Sequence, residues 1–162
     1  MTSEDPTSSA VISAHRAWLE ERIAALKTGA RSAQEGMRVD GDHRPASRGE
    51  RGAVSERGAM RAGLLMRVAA LEDALGALAA IPPGDGSDVV RAGVVFQVDD
   101  GDEERWMAIL PGGQGNEVLP ARVRVVSPQA PIARALLGLG EGDVAEMNRP
   151  GGFVELEVVA IG

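Results

Sequence analysis

Cysteine is absent from the 162 residues, so neither a disulfide nor a thiolate metal site can form. Aromatic side chains are scarce: Trp18, Phe96, Trp106 and Phe153 are the full set, with no Tyr. Any pocket that needs an aromatic lining would have to draw on these four. Histidine occurs twice, as His15 and His43, and each reads as a surface or capping residue rather than a ligand. No apolar run approaches the ~20 residues of a membrane span. The Ser/Thr/Asp/Glu-rich start lacks the basic and apolar regions of a signal peptide. A soluble, cytoplasmic protein is expected.

The distribution of charge is more informative than the net charge of −7. Residues 1–81 hold 11 basic and 11 acidic side chains, whereas residues 82–162 hold 6 and 13. The second half therefore carries the whole excess. An acidic half is ill suited to gripping nucleic acid through phosphates, and a protein surface is the better partner.

Residues 1–12 read as a disordered tail. Beyond them Leu19, Ile23, Leu26, Ala30, Ala33 and Met37 recur at alternating spacings of four and three, the seam of a coiled coil. A second seam runs Leu64, Val68, Leu71, Leu75, Leu78. Residues 38–51, with Gly41, Pro45 and Gly49, break the pattern between them. Two seams around a breaker predict an antiparallel helical hairpin over residues 13–81. A helix over residues 14–39 would be roughly 39 Å long. Glycines at 29, 36, 49, 52, 58 and 63 cost about 1 kcal/mol each relative to Ala. The distal half is accordingly expected to be mobile or imperfectly helical when free.

Residues 82–87, Pro82-Pro83-Gly84-Asp85-Gly86-Ser87, form a linker. Strand patterns follow at residues 89–98, 105–110, 121–126, 144–147 and 153–161, with a short helix over 132–139 behind Pro131. About five strands and one helix make an α+β module over residues 88–162.

The run Val126-Ser127-Pro128-Gln129-Ala130-Pro131-Ile132-Ala133-Arg134-Ala135-Leu136-Leu137-Gly138 resembles the signature of the Gre-type (GreA/GreB) transcript cleavage factors, I-S-x-x-S-P-x-A-x-A-L-L-G. Gly142-Asp143-Val144 and Pro150-Gly151-Gly152 continue the likeness without gaps. Leu19-Glu20-Glu21-Arg22-Ile23-Ala24-Ala25-Leu26-Lys27 and Arg67-Val68-Ala69-Ala70-Leu71-Glu72-Asp73-Ala74-Leu75 resemble the ends of the family's two hairpin helices. The likeness is strong in the C-terminal half and weak at the hairpin tip.

The resemblance implies a C-terminal domain of FKBP-like fold that docks on the rim of the RNA polymerase secondary channel. It implies contacts through Gln129, Ala130, Pro131, Ile132 and Arg134. It also implies a hairpin that enters the channel and presents acidic residues to the catalytic Mg²⁺. There they would help hold a second metal and an attacking water beside the RNA 3′ end. Such a factor is no enzyme alone, only a helper of the polymerase's own Mg-dependent cleavage, and binds no cofactor by itself.

The family's tip motif, D-x-x-E-N, falls here on Ser47-Arg48-Gly49-Glu50-Arg51. Glu50 is kept, while Ser and Arg replace the Asp and the Asn. From residue 38 to 61 there are six Arg against Asp40, Asp42, Glu50 and Glu56, a local charge of +2 that repels a divalent cation. Asp40 and Asp42 would rebuild a metal site with Glu50 if the tip loop brings them together; as residues of a Gly-containing loop they read equally as turn formers. Arg48 and Arg51 can meet RNA phosphates in the channel, or form an ordinary solvated face. The docking segment also departs, with Gln129-Ala130-Pro131 where the family often has Asp-Ser-Pro.

Four readings stand: a polymerase-binding regulator without efficient cleavage, an active cleavage factor, a peptidyl-prolyl isomerase, and a generic coiled-coil adaptor. The isomerase needs an aromatic pocket, and Phe96, Trp106 and Phe153 read more simply as the core of a small sheet.

Overall fold

The computed structural model describes residues 4–35 and 48–162, and for Glu50 only the backbone. These form α1 (Ser8–Glu35), α2 (Arg48–Ala79), β1 (Val95–Asp99), β2 (Glu104–Ile109), β3 (Gln114–Val118), β4 (Val123–Val126), α3 (Pro131–Leu136), β5 (Val144–Arg149) and β6 (Gly152–Ile161). Two compact units result. One is Leu19–Asp73, and the other joins Met1–Trp18 to Ala74–Gly162.

In the first unit α1 and α2 run antiparallel. Lys27 Nζ lies 2.9 Å from Glu72 Oε1, and a Cβ on Gly29 would sit 3.5 Å from Leu64 Cδ1, so rising numbers on one helix meet falling numbers on the other. The expected seams are the buried faces. Leu19, Ile23, Ala30 and Ala33 are buried on α1, and Val68 and Leu71 on α2. The expected break runs through residue 51, yet α2 starts at Arg48; and Gly49, Gly52, Gly58 and Gly63 all lie inside one continuous helix rather than interrupting it. Packing along a long seam outweighs their propensity cost.

The second unit is built on a six-stranded mixed sheet ordered β3-β4-β2-β1-β6-β5. Only β2 and β4 pair in parallel. Phe96, Val98, Met107, Ile109, Leu156 and Val158 pack with Ala133 and Leu136 of α3 into its core. The described residues form six strands, not about five. The additional one, β3, is an edge strand of Gln114-Gly115-Asn116-Glu117-Val118 in which only Val118 is buried, so no apolar alternation announced it. The strand expected over residues 89–98 begins only at Val95. Before it the backbone crosses itself: Gly84 N donates to Gly93 O at 2.9 Å, and Gly93, at φ +88°, leaves a Cβ no room against Pro82 O. Val90 meanwhile exchanges two backbone hydrogen bonds with Gly138 and Leu139, both 2.8 Å. The helix expected over 132–139 is shorter, ending at Leu136 before Gly138 at φ +86°.

Residues 8–12 are not a tail, because α1 starts at Ser8 and buries Val11 and Ile12. Thr7 caps the helix, its Oγ1 accepting the Ala10 N–H at 3.2 Å. The Asp85 carboxylate accepts the Ser8 N–H at 3.1 Å, where the helix dipole favours an anion. Ser8 Oγ in turn accepts the Val95 N–H at 3.2 Å, tying the helix start to the first strand. His15 is likewise no surface residue. It is fully buried, stacks on Trp18 with ring centroids 5.7 Å apart, and donates from Nε2 to Pro111 O at 2.9 Å.

Candidate functional site

The segment leading into α3 forms one corner of the C-terminal domain. Pro131 stands at the first helical position, where its missing N–H costs nothing, and Ala130 precedes it in extended conformation. No side chain caps this helix; the Ala130 N–H instead donates to Ser127 O at 3.1 Å. Gln129, Pro131 and Arg134 are exposed, while Ala130 and Ile132 are half-buried. All five residues named from the sequence are therefore brought together, three of them facing solvent.

Ile132 also lines an open cavity of about 210 Å³. Its apolar wall includes Met107, Met147, Val154 and Leu156, and its charged side is Asp100, Arg105 and Arg149. Asp100 is held rigidly. Its Oδ1 accepts the N–H groups of Asp102 and Glu103, both at 3.0 Å, and its Oδ2 pairs with Arg105. The Glu103 N–H, then those of Asp102 and the nearby guanidinium groups, hold this carboxyl below its ordinary range against an opposing effect of burial. Arg134 and Arg149 make no ion pair among the described residues. An apolar floor with two flexible Met side chains, beside an Arg149 that feels the Asp100 charge but is not bound in an ion pair, suits an apolar side chain with a carboxylate next to it.

The cavity wall was not among the residues singled out from the sequence. Asp100 and Arg105 come from the β1–β2 turn and β2, and Met147 and Arg149 from β5. The Asp-rich turn was visible, but its place beside α3 was not. None of the aromatic residues lines this cavity. Phe96 is in the core, but Phe153 is 71% exposed and so does not belong to the core expected of it. This cavity therefore lacks the aromatic lining that a proline ring requires.

At the hairpin, Arg48 and Arg51 lie exposed on the first turns of α2, and the backbone of Glu50 lies between them. Asp40 and Asp42 fall outside the described residues, as does the Glu50 side chain. Among the described residues no three His, Asp or Glu side chains are grouped to hold a metal ion, and no helix is long and apolar enough to cross a membrane.

Residues 86–162 match the family described as "Transcription elongation factor, GreA/GreB, C-term". Over 76 residues the chain is 37% identical to transcription elongation factor GreA of Brucella canis and equally to that of Brucella suis, which is 47% of this chain and 46% of each relative. The chain thus spans about half the length of the curated relatives it matches. Among solved structures, GreA factor homolog 1 (Gfh1) of Thermus thermophilus is 27% identical over 90% of both chains with a TM-score of 0.37. A GreA/GreB elongation factor from Nitrosomonas europaea is 25% identical over 64% of this chain and 90% of its own, with a TM-score of 0.34.

Proposed function

We propose, for a chain whose residues 86–162 match the GreA/GreB family of transcription elongation factors, that it binds RNA polymerase and places its hairpin in the secondary channel without driving efficient transcript cleavage. The observation that carries this reading is the start of α2. Arg51 lies exposed there, one residue after Glu50, where the family's cleavage motif has an amide, and in the sequence Ser47 takes the place of the motif's carboxylate. The donor set Ser47, Glu50, Arg51 does not fit a hard divalent cation, which takes several carboxylate or carbonyl oxygens and is repelled by guanidinium groups.

What remains is occupancy. α2 is 32 residues long, roughly 48 Å at 1.5 Å per residue, and slender enough to fill a channel. The corner formed by Gln129, Ala130, Pro131, Ile132 and Arg134, with the cavity beside it, supplies the dock. A partner side chain of apolar character fits against Ile132 and Met147, and a neighbouring carboxylate pairs with Arg134 or Arg149. Arg48 and Arg51 are then positioned to meet phosphates of the RNA 3′ end. Such a factor works in the cytoplasm, where transcription occurs.

Binding to polymerase, free and halted in a transcribing complex, tests this reading. Met147→Asp and Arg134→Glu should each weaken both associations by at least about tenfold, the loss of one desolvated anchor or charge pair. The double substitution Arg48→Gln, Arg51→Gln should weaken binding to the transcribing complex more than to free polymerase. Unchanged binding for the first pair removes the dock, and equal losses for the second remove the RNA contact.

The alternative of an active cleavage factor keeps one specific support, the retained Glu50. It requires Asp40 or Asp42 to join it.

A further inference from the structure

The outward face of β5 and β6 belongs neither to the cavity nor to the core. Register places Val144, Glu146 and Asn148 of β5 opposite Glu157, Glu155 and Phe153 of β6, all pointing away from the buried Val154, Leu156 and Val158. Asp99 of β1 continues the face opposite Glu157, and Glu104 of β2 lies opposite Asp99. Phe153 is 71% exposed and Val144 55%, and β5 is an edge strand.

This face is built against its own stability. Glu146 opposes Glu155, and Asp99 opposes both Glu157 and Glu104, although like charges directly across a sheet repel. Lys and Arg are absent from these positions. Asp99, Glu155 and Glu157, with Val144 and Gly101, line a shallow depression of about 140 Å³. The carboxylates are not grouped as metal ligands. Three spread carboxylates beside apolar Val144 and Phe153 instead match a flat, delocalised cation on an apolar stem, which is a guanidinium group.

A surface of complementary character occurs on the chain itself. Arg48, Arg51, Ser55, Ala59, Ala62 and Met66 follow one another on α2 at spacings of three or four, so they share one side of the helix. All six are exposed, and they lie opposite the side that buries Val68 and Leu71. This strip, about 27 Å long, is cationic at its start and small and apolar beyond, ending on Met66 at 74% exposure.

We propose that the outward β5–β6 face docks the exposed strip of α2 from a second copy of the chain. Arg48 or Arg51 of that copy occupies the acidic depression, and its small side chains let the helix lie close to Phe153 and Val144. The contact pairs the cationic start of one α2 with the acidic domain of another molecule, which explains why repelling carboxylates are kept on an exposed sheet.

Sedimentation equilibrium of the full chain, over about 5 µM to 500 µM and at low and high salt, tests it. The expected result is a monomer–dimer equilibrium whose dissociation constant rises by at least about tenfold between 50 mM and 500 mM NaCl. The pair Glu155→Arg, Glu157→Arg should abolish the dimer, as should Arg48→Glu, Arg51→Glu. Each substituted chain alone should be monomeric, and an equimolar mixture of the two should associate again. Circular dichroism of each variant checks that it is folded; Phe153→Ser, which leaves the charges intact, should weaken the dimer without changing its salt dependence. A monomer at every concentration at low salt overturns the proposal, and so does a dimer that both charge reversals leave unchanged.

Discussion

Protonating His15 would place a charge in a fully buried position where Nε2 already donates to Pro111 O and Nδ1 has no partner. Burial holds its pKa below the ordinary histidine value, and the Pro111 carbonyl offsets this only in part. The folded state therefore keeps the ring neutral while the unfolded chain begins to bind a proton near pH 6.5. The stability from this group is fully present above that pH and is lost as pH falls through 6.5 toward the lower folded value. Denaturant unfolding followed from pH 7.5 to 5 should show a decline of up to about 1.4 kcal/mol per pH unit. His15→Gln should be less stable at pH 7.5 and should flatten the decline; an equally steep decline in that variant would assign it to other groups. Nothing in the sequence disclosed this role, since the ring's partner lies 96 positions away. A lone polar residue on an otherwise ordinary helix carries no mark of what will cover it.

At the scale of elements, what the sequence disclosed was whatever repeats. The seams through Leu19–Ala33 and Val68–Leu78 were legible because each apolar position recurs at three and four, and the structure buries all of them but Leu26 and Leu75, which are half-buried. The corner before α3 was legible as a unit because its residues are consecutive, from Gln129 to Arg134. The cavity beside it was not, because its wall is collected from the β1–β2 turn, β2, β5 and β6. The edge strand β3 and the first turns of α1 escaped for a related reason: both are polar stretches whose order comes from distant partners, Val126 to Val123 for the one and Asp85 and Val95 for the other. Two consequences follow from these placements. Deleting residues 1–12 removes the buried Val11 and Ile12 together with the Ser8 contacts, and should lower unfolding stability by at least about 3 kcal/mol. A loss under about 1 kcal/mol would return those residues to the status of a tail. Gly63 sits inside α2 with open space around the position of a Cβ. Gly63→Ala should therefore stabilise by about 0.5–1 kcal/mol, read as a raised midpoint in urea. A lowered midpoint would mean that the helix is not regular there.

For the whole molecule, the two units divide the labour in the proposed function. Under that proposal the C-terminal domain, matched to the family over residues 86–162, would carry the dock, and the hairpin would carry whatever reaches the polymerase centre. The family likeness therefore speaks most strongly for binding, while the departures at Ser47 and Arg51 bear on chemistry. This separation makes binding and cleavage independently measurable. The most direct measurement is the rate of transcript cleavage in a purified backtracked complex with Mg²⁺, taken at concentrations where binding of the chain is saturated. The account predicts saturable binding with cleavage no faster than in polymerase alone, and a gain of at least about tenfold for the double substitution Ser47→Asp, Arg51→Asn, which restores the carboxylate and the amide around Glu50. Rapid cleavage by the unaltered chain, lost on replacing Glu50, Asp40 or Asp42, would contradict it.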